Sequence, residues 1–80
     1  MTAQAYVFVS TANPGPRAAC QAIRKIPGVI RADALFGGFS AVAIVEGGDL
    51  TAMDAAIDAI VELSMVTDTE THLVRPISEA

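Results

Sequence analysis

Residues 29–46 read VIRADALFGGFSAVAIVE. Two apolar and β-branched runs, 29–36 and 39–46, flank Gly37-Gly38, which is the pattern of two strands joined by a two-residue hairpin turn. The second run is apolar at odd and even positions alike from Ala41 to Val45, so both of its faces require cover. The first run carries Arg31 and Asp33, as a strand at the edge of a sheet does.

Working outward from this hairpin, each side leads into a helix. On the N-terminal side, Pro27-Gly28 closes a segment in which Ala19, Cys20, Ile23 and Ile26 recur at helical spacing. Arg17, Gln21, Arg24 and Lys25 lie away from that stripe. The segment opens at Asn13-Pro14-Gly15-Pro16, a turn that places Pro16 at the first helical position. On the C-terminal side, Gly47-Gly48-Asp49 opens a second helix with Asp49 as its N-cap. Leu50, Met53, Ile57 and Ile60 form its expected buried stripe, and Thr51, Asp54, Asp58 and Glu62 its wet face. Two further strands frame the whole, residues 4–11 (QAYVFVST) and residues 66–75 (VTDTETHLVR). The order is β-α-β-β-α-β.

The chain also repeats itself at an offset of 37 residues. Val7 maps to Ile44, Ala19 to Ala56, Cys20 to Ile57, Ile23 to Ile60, Ile26 to Leu63 and Val29 to Val66. Two β-α-β halves of this kind make the split arrangement of an α+β, ferredoxin-like two-layer sandwich. Its first and third strands are central, in keeping with the apolar runs Tyr6–Val9 and Ala41–Val45 and the charged second and fourth strands. Two helices cover one face of such a sheet. The second face then calls for another copy, in a sheet-to-sheet dimer (a dimeric α+β barrel). The alternative is that outward alanines simply tolerate water. Ala41 and Ala43 fit that alternative, while Tyr6, Val7, Phe8, Val9, Val42 and Ile44 together do not.

Composition narrows the functional classes. Eighty residues make one domain, 1–80, and a chain of this size buries about 60–65% of the surface it exposes unfolded. With 52% hydrophobic and 18% charged residues it is no disordered tail. A net charge of −4 with only five Lys and Arg argues against direct contact with nucleic acid, which needs clustered cations. The single cysteine cannot form an internal disulfide, and the apolar runs are too short for a signal peptide or a membrane span. A cytoplasmic protein without a membrane partner is expected.

Groups that do chemistry are few. Cys20 falls on an apolar helix stripe, where an inert buried thiol is the plain expectation. His72, the one histidine, stands between Thr71 and Leu73 without a second ligand at metal spacing, and reads as a surface or interface residue. Asp54, Asp58 and Glu62 resemble a metal comb but fit a solvated helix face better. No enzyme, metal or cofactor is expected. What remains is binding: Ser40 beside the glycine turn, and Thr67, Thr69 and Thr71 on the last strand, suit a small zwitterion at a subunit seam. Threonine is also a good strand residue, so β-propensity alone accounts for the threonines.

The runs Ile23-Arg-Lys-Ile-Pro-Gly-Val29, Ala34-Leu-Phe-Gly-Gly-Phe39, Val42-Ala-Ile-Val-Glu46, Asp49-Leu50 and Val66-Thr-Asp-Thr-Glu-Thr-His-Leu-Val74 resemble the effector-binding (RAM-type) domain of Lrp/AsnC transcriptional regulators, over about residues 5–74. The resemblance implies a homodimer through the sheet, dimers assembled into octamers or similar rings, and an amino-acid effector bound between dimers near the turn of strands two and three. Full-length relatives carry a DNA-binding helix-turn-helix domain ahead of this one. The chain starts at the first strand and so looks like a stand-alone member that modulates transcription through full-length Lrp/AsnC regulators. The ligand-binding residues implied are Gly37, Phe39, Ser40, Thr69 and Thr71. One departure stands out: the family turn commonly reads Gly-x-Tyr-Asp, and here it is Gly37-Gly38-Phe39-Ser40. A hydroxyl replaces the acid that would pair with an ammonium group.

Two other readings compete. A small dimeric α+β barrel enzyme, such as a cofactor-free monooxygenase or lactone isomerase, would share the sheet-faced dimer but needs a polar pocket between sheet and helices. An ACT-type amino-acid sensor would place its ligand at Asn13-Pro14-Gly15 instead of near Gly37.

Overall fold

The computed structural model describes residues 2–12 and 15–75. Six elements follow in the order β1 (Ala3–Thr11), α1 (Pro16–Ile23), β2 (Val29–Ala34), β3 (Ala41–Gly47), α2 (Leu50–Val61) and β4 (Val66–Leu73). The four strands form one antiparallel sheet in the order β2-β3-β1-β4, with β1 and β3 central as their apolar runs require. This is the ferredoxin-like arrangement. Asn13 and Pro14 of the expected first turn lie outside the described residues.

Both helices pack on one face of the sheet, α1 over β2 and β3, and α2 over β3, β1 and β4. Beneath them the strands present small side chains: Ala5, Val7 and Val9 of β1, Ala32 of β2, and Ala41, Ala43 and Val45 of β3, all buried. The helices supply the bulk through Ile23, Met53 and Ile60, with Ala19, Cys20 and Ala56 filling between them. No polar or charged residue is buried among the described residues.

The opposite face carries no helix among the described residues. In the register of β1 with β3, Tyr6 stands opposite Ile44 and Phe8 opposite Val42, all alternating away from the buried positions. Tyr6 is 45% exposed, and Phe8, Val42 and Ile44 are half-buried by their neighbours on the sheet.

Several elements depart from the sequence pattern for identifiable reasons. Helix α1 ends at Ile23, not at Pro27. Pro27 has no N–H to give the Ile23 carbonyl, and it disfavours helical backbone at Ile26. The chain tightens instead, with the Lys25 N–H donating to the Ala22 carbonyl (3.2 Å) and the Ile26 N–H to the Ile23 carbonyl (3.0 Å). Gly28 then takes φ 98°, with Ala56 and the Glu46 carbonyl so near that a Cβ would sit 3.0 and 3.2 Å from them.

The hairpin between β2 and β3 is longer than two residues. The Leu35 N–H donates to the Ser40 carbonyl at 2.8 Å, closing a loop over residues 36–39. Gly37 has positive φ (116°) and Gly38 does not, which excludes the type I′ turn, and the Leu35–Ser40 bond encloses four residues where a two-residue turn would leave the two glycines alone. In α2, Asp49 caps as expected, accepting from the Ala52 N–H at 2.8 Å. Leu50, however, is 63% exposed, so the buried stripe is Met53, Ala56 and Ile60, with Ile57 half-buried.

The 37-residue echo is structural where it runs from helix to strand. The Ile26 N–H donates to Ile23 and Val29 to Ile26 (3.0 and 3.1 Å), while Leu63 donates to Ile60 and Val66 to Leu63 (3.1 and 3.0 Å). It fails in the strands: Val7 faces the helices and its counterpart Ile44 the open side.

Candidate functional site

The loop between β2 and β3 is fastened to the middle of the sheet. The Ser40 N–H donates to the Val9 carbonyl at 2.9 Å, fixing the loop's exit against β1. Phe39 turns onto the open face, its ring centroid 5.6 Å from that of Phe8. Phe8 in turn meets the His72 ring edge-on at 5.7 Å, and His72 Nε2 lies 2.7 Å from Glu70 Oε2. An aromatic row thus runs from the loop across β1 to β4 on the uncovered side. Contacts of this geometry add about 0.5–1.5 kcal/mol per pair beyond area burial.

The five expected ligand residues divide between two faces. Gly37 and Ser40 belong to the loop, and Phe39 belongs to the open face. Thr69 pairs with Val9 and Thr71 with Val7, which puts both threonines on the helix side of the edge strand β4. Thr69 is half-buried and Thr71 exposed. Ser40 and Thr69 flank the same residue, Val9, from opposite sides. One copy of the chain therefore does not gather the five around a common point.

Two cavities are present elsewhere. One of about 430 Å³ is lined mainly by Ile26, Pro27, Gly28 and the alanines of α2. The other, of about 280 Å³, lies between α1 and β2 and is lined by Arg17, Cys20, Gln21, Arg24 and Ala34. Neither includes any of the five. Cys20 at the second is 3% exposed, and burial, with Asp33 adding to it and Arg24 opposing, pushes its thiol above the ordinary value. It is a neutral core thiol at physiological pH.

Asp54, Asp58 and Glu62 are exposed on α2, and no group of three His, Cys, Asp or Glu suited to a metal occurs among the described residues. No described helix is long and apolar enough to cross a membrane.

Sequence reasoning missed two features. Phe36, read as the end of a strand, stands fully exposed (107%) at the tip of the loop, beside Gly37. A lone aromatic abutting two glycines is the signal that could have placed it there. The cavity beside Arg17 and Arg24 had no sequence signal beyond the helical spacing of those side chains.

A ferredoxin-like sandwich with one apolar face uncovered and an aromatic loop at its rim is the class of domain that these features define. The model of the Lrp/AsnC ligand binding domain matches residues 4–75, and the chain belongs to that family. Among solved structures it is similar to the protein TTHA0845 of Thermus thermophilus, at 25% identity and a TM-score of 0.85, covering 98% of this chain and 99% of that one. It is also similar to AsnC of E. coli (18% identity, TM-score 0.78, covering 98% of this chain and 55% of that one). A transcriptional regulator of Neisseria meningitidis, solved as a complex with L-Met, matches at 23% identity and a TM-score of 0.77, over 92% of this chain and 50% of that one. The chain thus spans about half of these two regulators. No curated protein matches it.

Proposed function

We propose that the chain is a regulatory, non-enzymatic module of 80 residues that binds an amino acid or related small metabolite where copies of it meet. We further propose that it acts on transcription by assembling with full-length Lrp/AsnC regulators. The observation that carries this reading is the uncovered sheet face, where Tyr6, Phe8, Phe39, Val42 and Ile44 form an apolar field continuous with the loop at Gly37–Ser40. Monomers rarely leave such a field in water. Two copies pack these faces together as a homodimer, and dimers joined through their loops form a ring of octameric type. Gly37, Phe39, Ser40, Thr69 and Thr71 then contribute to a shared ligand site from more than one copy, which accounts for their separation within one chain.

Family membership and the neutral core thiol both favour binding over catalysis. The test is a thermal-shift panel of the common amino acids, starting with L-methionine because the Neisseria protein holds it, with native mass read on the hits. A ligand at about 100 times its dissociation constant adds about 2.7 kcal/mol per site. That corresponds to roughly ten degrees or more for a domain of this size. A selective shift supports the effector reading, and a flat panel removes amino acids from it. Ser40→Asp restores an acid at the turn and is expected to tighten binding of any amino acid that the wild type takes, by about tenfold for a charge-assisted bond to the ammonium. Equal or weaker affinity by titration calorimetry would displace Ser40 from the site.

A further inference from the structure

The cavity between α1 and β2 has an electrostatic character opposite to that of the chain. The protein has a net charge of −4 and only five Lys and Arg, yet two of the five, Arg17 and Arg24, converge on this one cavity of about 280 Å³. Gln21 adds an amide, and no carboxylate among the described residues lines it. Its room comes from the sheet below: toward its C-terminal end the covered side of β2 offers the methyl groups of Ala32 and Ala34, and the long side chains of α1 lie over that end.

Arg24 is held in place. Its Nε and Nη2 both donate to the Ala32 carbonyl (2.9 and 2.6 Å), which points outward from the unpaired edge of β2. Of its five guanidinium donors, three have no acceptor at hydrogen-bond distance among the described residues. Asp33, the nearest acid, is 3.8 Å from Arg24 but only 2.6 Å from Arg31, which draws its charge to the other side of the strand. By the alternation of an antiparallel ladder, the Ala34 N–H points outward at the same edge as the Ala32 carbonyl. The cavity therefore combines an oriented guanidinium, a second one on the next helical turns, an amide and a backbone donor, over a neutral thiol and a methyl floor.

We propose that this cavity is a binding site for a small oxyanion, a carboxylate or phosphate group, held by Arg17, Gln21 and Arg24. The proposal does not depend on the effector reading, since it shares no residue with the loop site.

The test is a ¹⁵N heteronuclear titration at constant ionic strength in chloride, with inorganic phosphate in one arm and succinate in the other. Saturable shifts confined to Arg17, Cys20, Gln21, Arg24 and Ala34 are expected, and the arm with the tighter isotherm identifies the anion. Arg17 is exposed, so Arg17→Gln keeps the fold and is expected to weaken binding at least tenfold. Lys25→Gln removes the same charge from the residue next to Arg24, just past the C-terminal end of α1, without touching the cavity, and is expected to leave the isotherm within twofold. Shifts that rise linearly without saturating in both arms would overturn the proposal. So would equal weakening by the two variants, which would mean a diffuse charge effect.

Discussion

The two faces of the sheet use the same strands and opposite side-chain sizes. On the covered face, β1 and β3 present Ala5, Val7, Val9, Ala41, Ala43 and Val45, and the volume comes from Ile23, Met53 and Ile60 on the helices. On the uncovered face the sheet itself carries the volume, in Tyr6, Phe8, Val42 and Ile44, joined by Phe39 from the loop. Charged and polar groups (Arg31, Asp33, Asp68, Glu70 and His72) stand on the edge strands around that apolar centre. An apolar centre within a polar rim is the anatomy of a protein–protein interface. Small sheet residues let helices of the same chain approach closely, whereas bulky ones provide anchors for a partner that arrives from outside.

The largest expected effect separates the faces directly. Ile60→Ala removes a fully buried side chain and is expected to cost about 2–5 kcal/mol, read by denaturant unfolding. Phe8→Ala on the open face loses two in-chain aromatic contacts, a cost of about 1–2 kcal/mol in the isolated fold. Its principal effect is expected on association: if the proposed dimer links folding to assembly, the wild-type unfolding midpoint is expected to rise with protein concentration, and Phe8→Ala to flatten that dependence. If Phe8→Ala instead costs as much as Ile60→Ala without any change in sedimentation, the open face is a second internal core and the comparison collapses.

Next in size come the glycines at either end of β2. Both Gly28 and Gly37 have positive φ, but Gly28 is crowded by Ala56 and the Glu46 carbonyl, while open space surrounds Gly37. Gly28→Ala is expected to cost about 2–3 kcal/mol, strain plus a clash beneath α2, and Gly37→Ala about 1 kcal/mol from backbone strain alone. Thermal melts of the two variants give the difference. Equal losses would mean that the covered face yields where Ala56 meets the turn.

The order of elements, the central position of β1 and β3 and the Asp49 cap were legible in the sequence because each rests on local chemistry: alternation, helical spacing and a side-chain oxygen near free N–H groups. The 37-residue echo was legible for the same reason between Ile23 and Val29 and between Ile60 and Val66, where bonds span three residues. It misled at Val7 and Ile44, since which way a strand residue points depends on register with distant strands, and a shift of one residue reverses every side chain. Thr69 and Thr71 illustrate this for the site. Their residue type could be read, but the face they occupy follows from pairing with β1, and that register includes a bulge at Ser10 and Thr11. The loop's true length depended on the long-range bond from Ser40 to Val9, which no spacing reveals.

Smaller effects sharpen the covered face further. Asp49→Ala removes the acceptor of the Ala52 N–H and is expected to cost about 1 kcal/mol, seen as a drop of several degrees in melting temperature. Smallest of all is an alkaline dependence from Cys20. Its thiol is raised by burial under α1, so the folded state keeps the proton that the unfolded chain gives up above about pH 8.5. The unfolded state then binds fewer protons than the native one, and stability falls as pH rises from that point until the folded thiol also ionises. Unfolding curves at about pH 7 and about pH 10, on either side of the unfolded thiol's ionisation, are expected to differ by more in the wild type than in Cys20→Ala. The variant is the less stable of the two at neutral pH through lost packing. An identical pH slope in both would mean that water reaches the thiol through the cavity beside Arg17 and Arg24, and that the covered face is less dry at that corner than under Ile60.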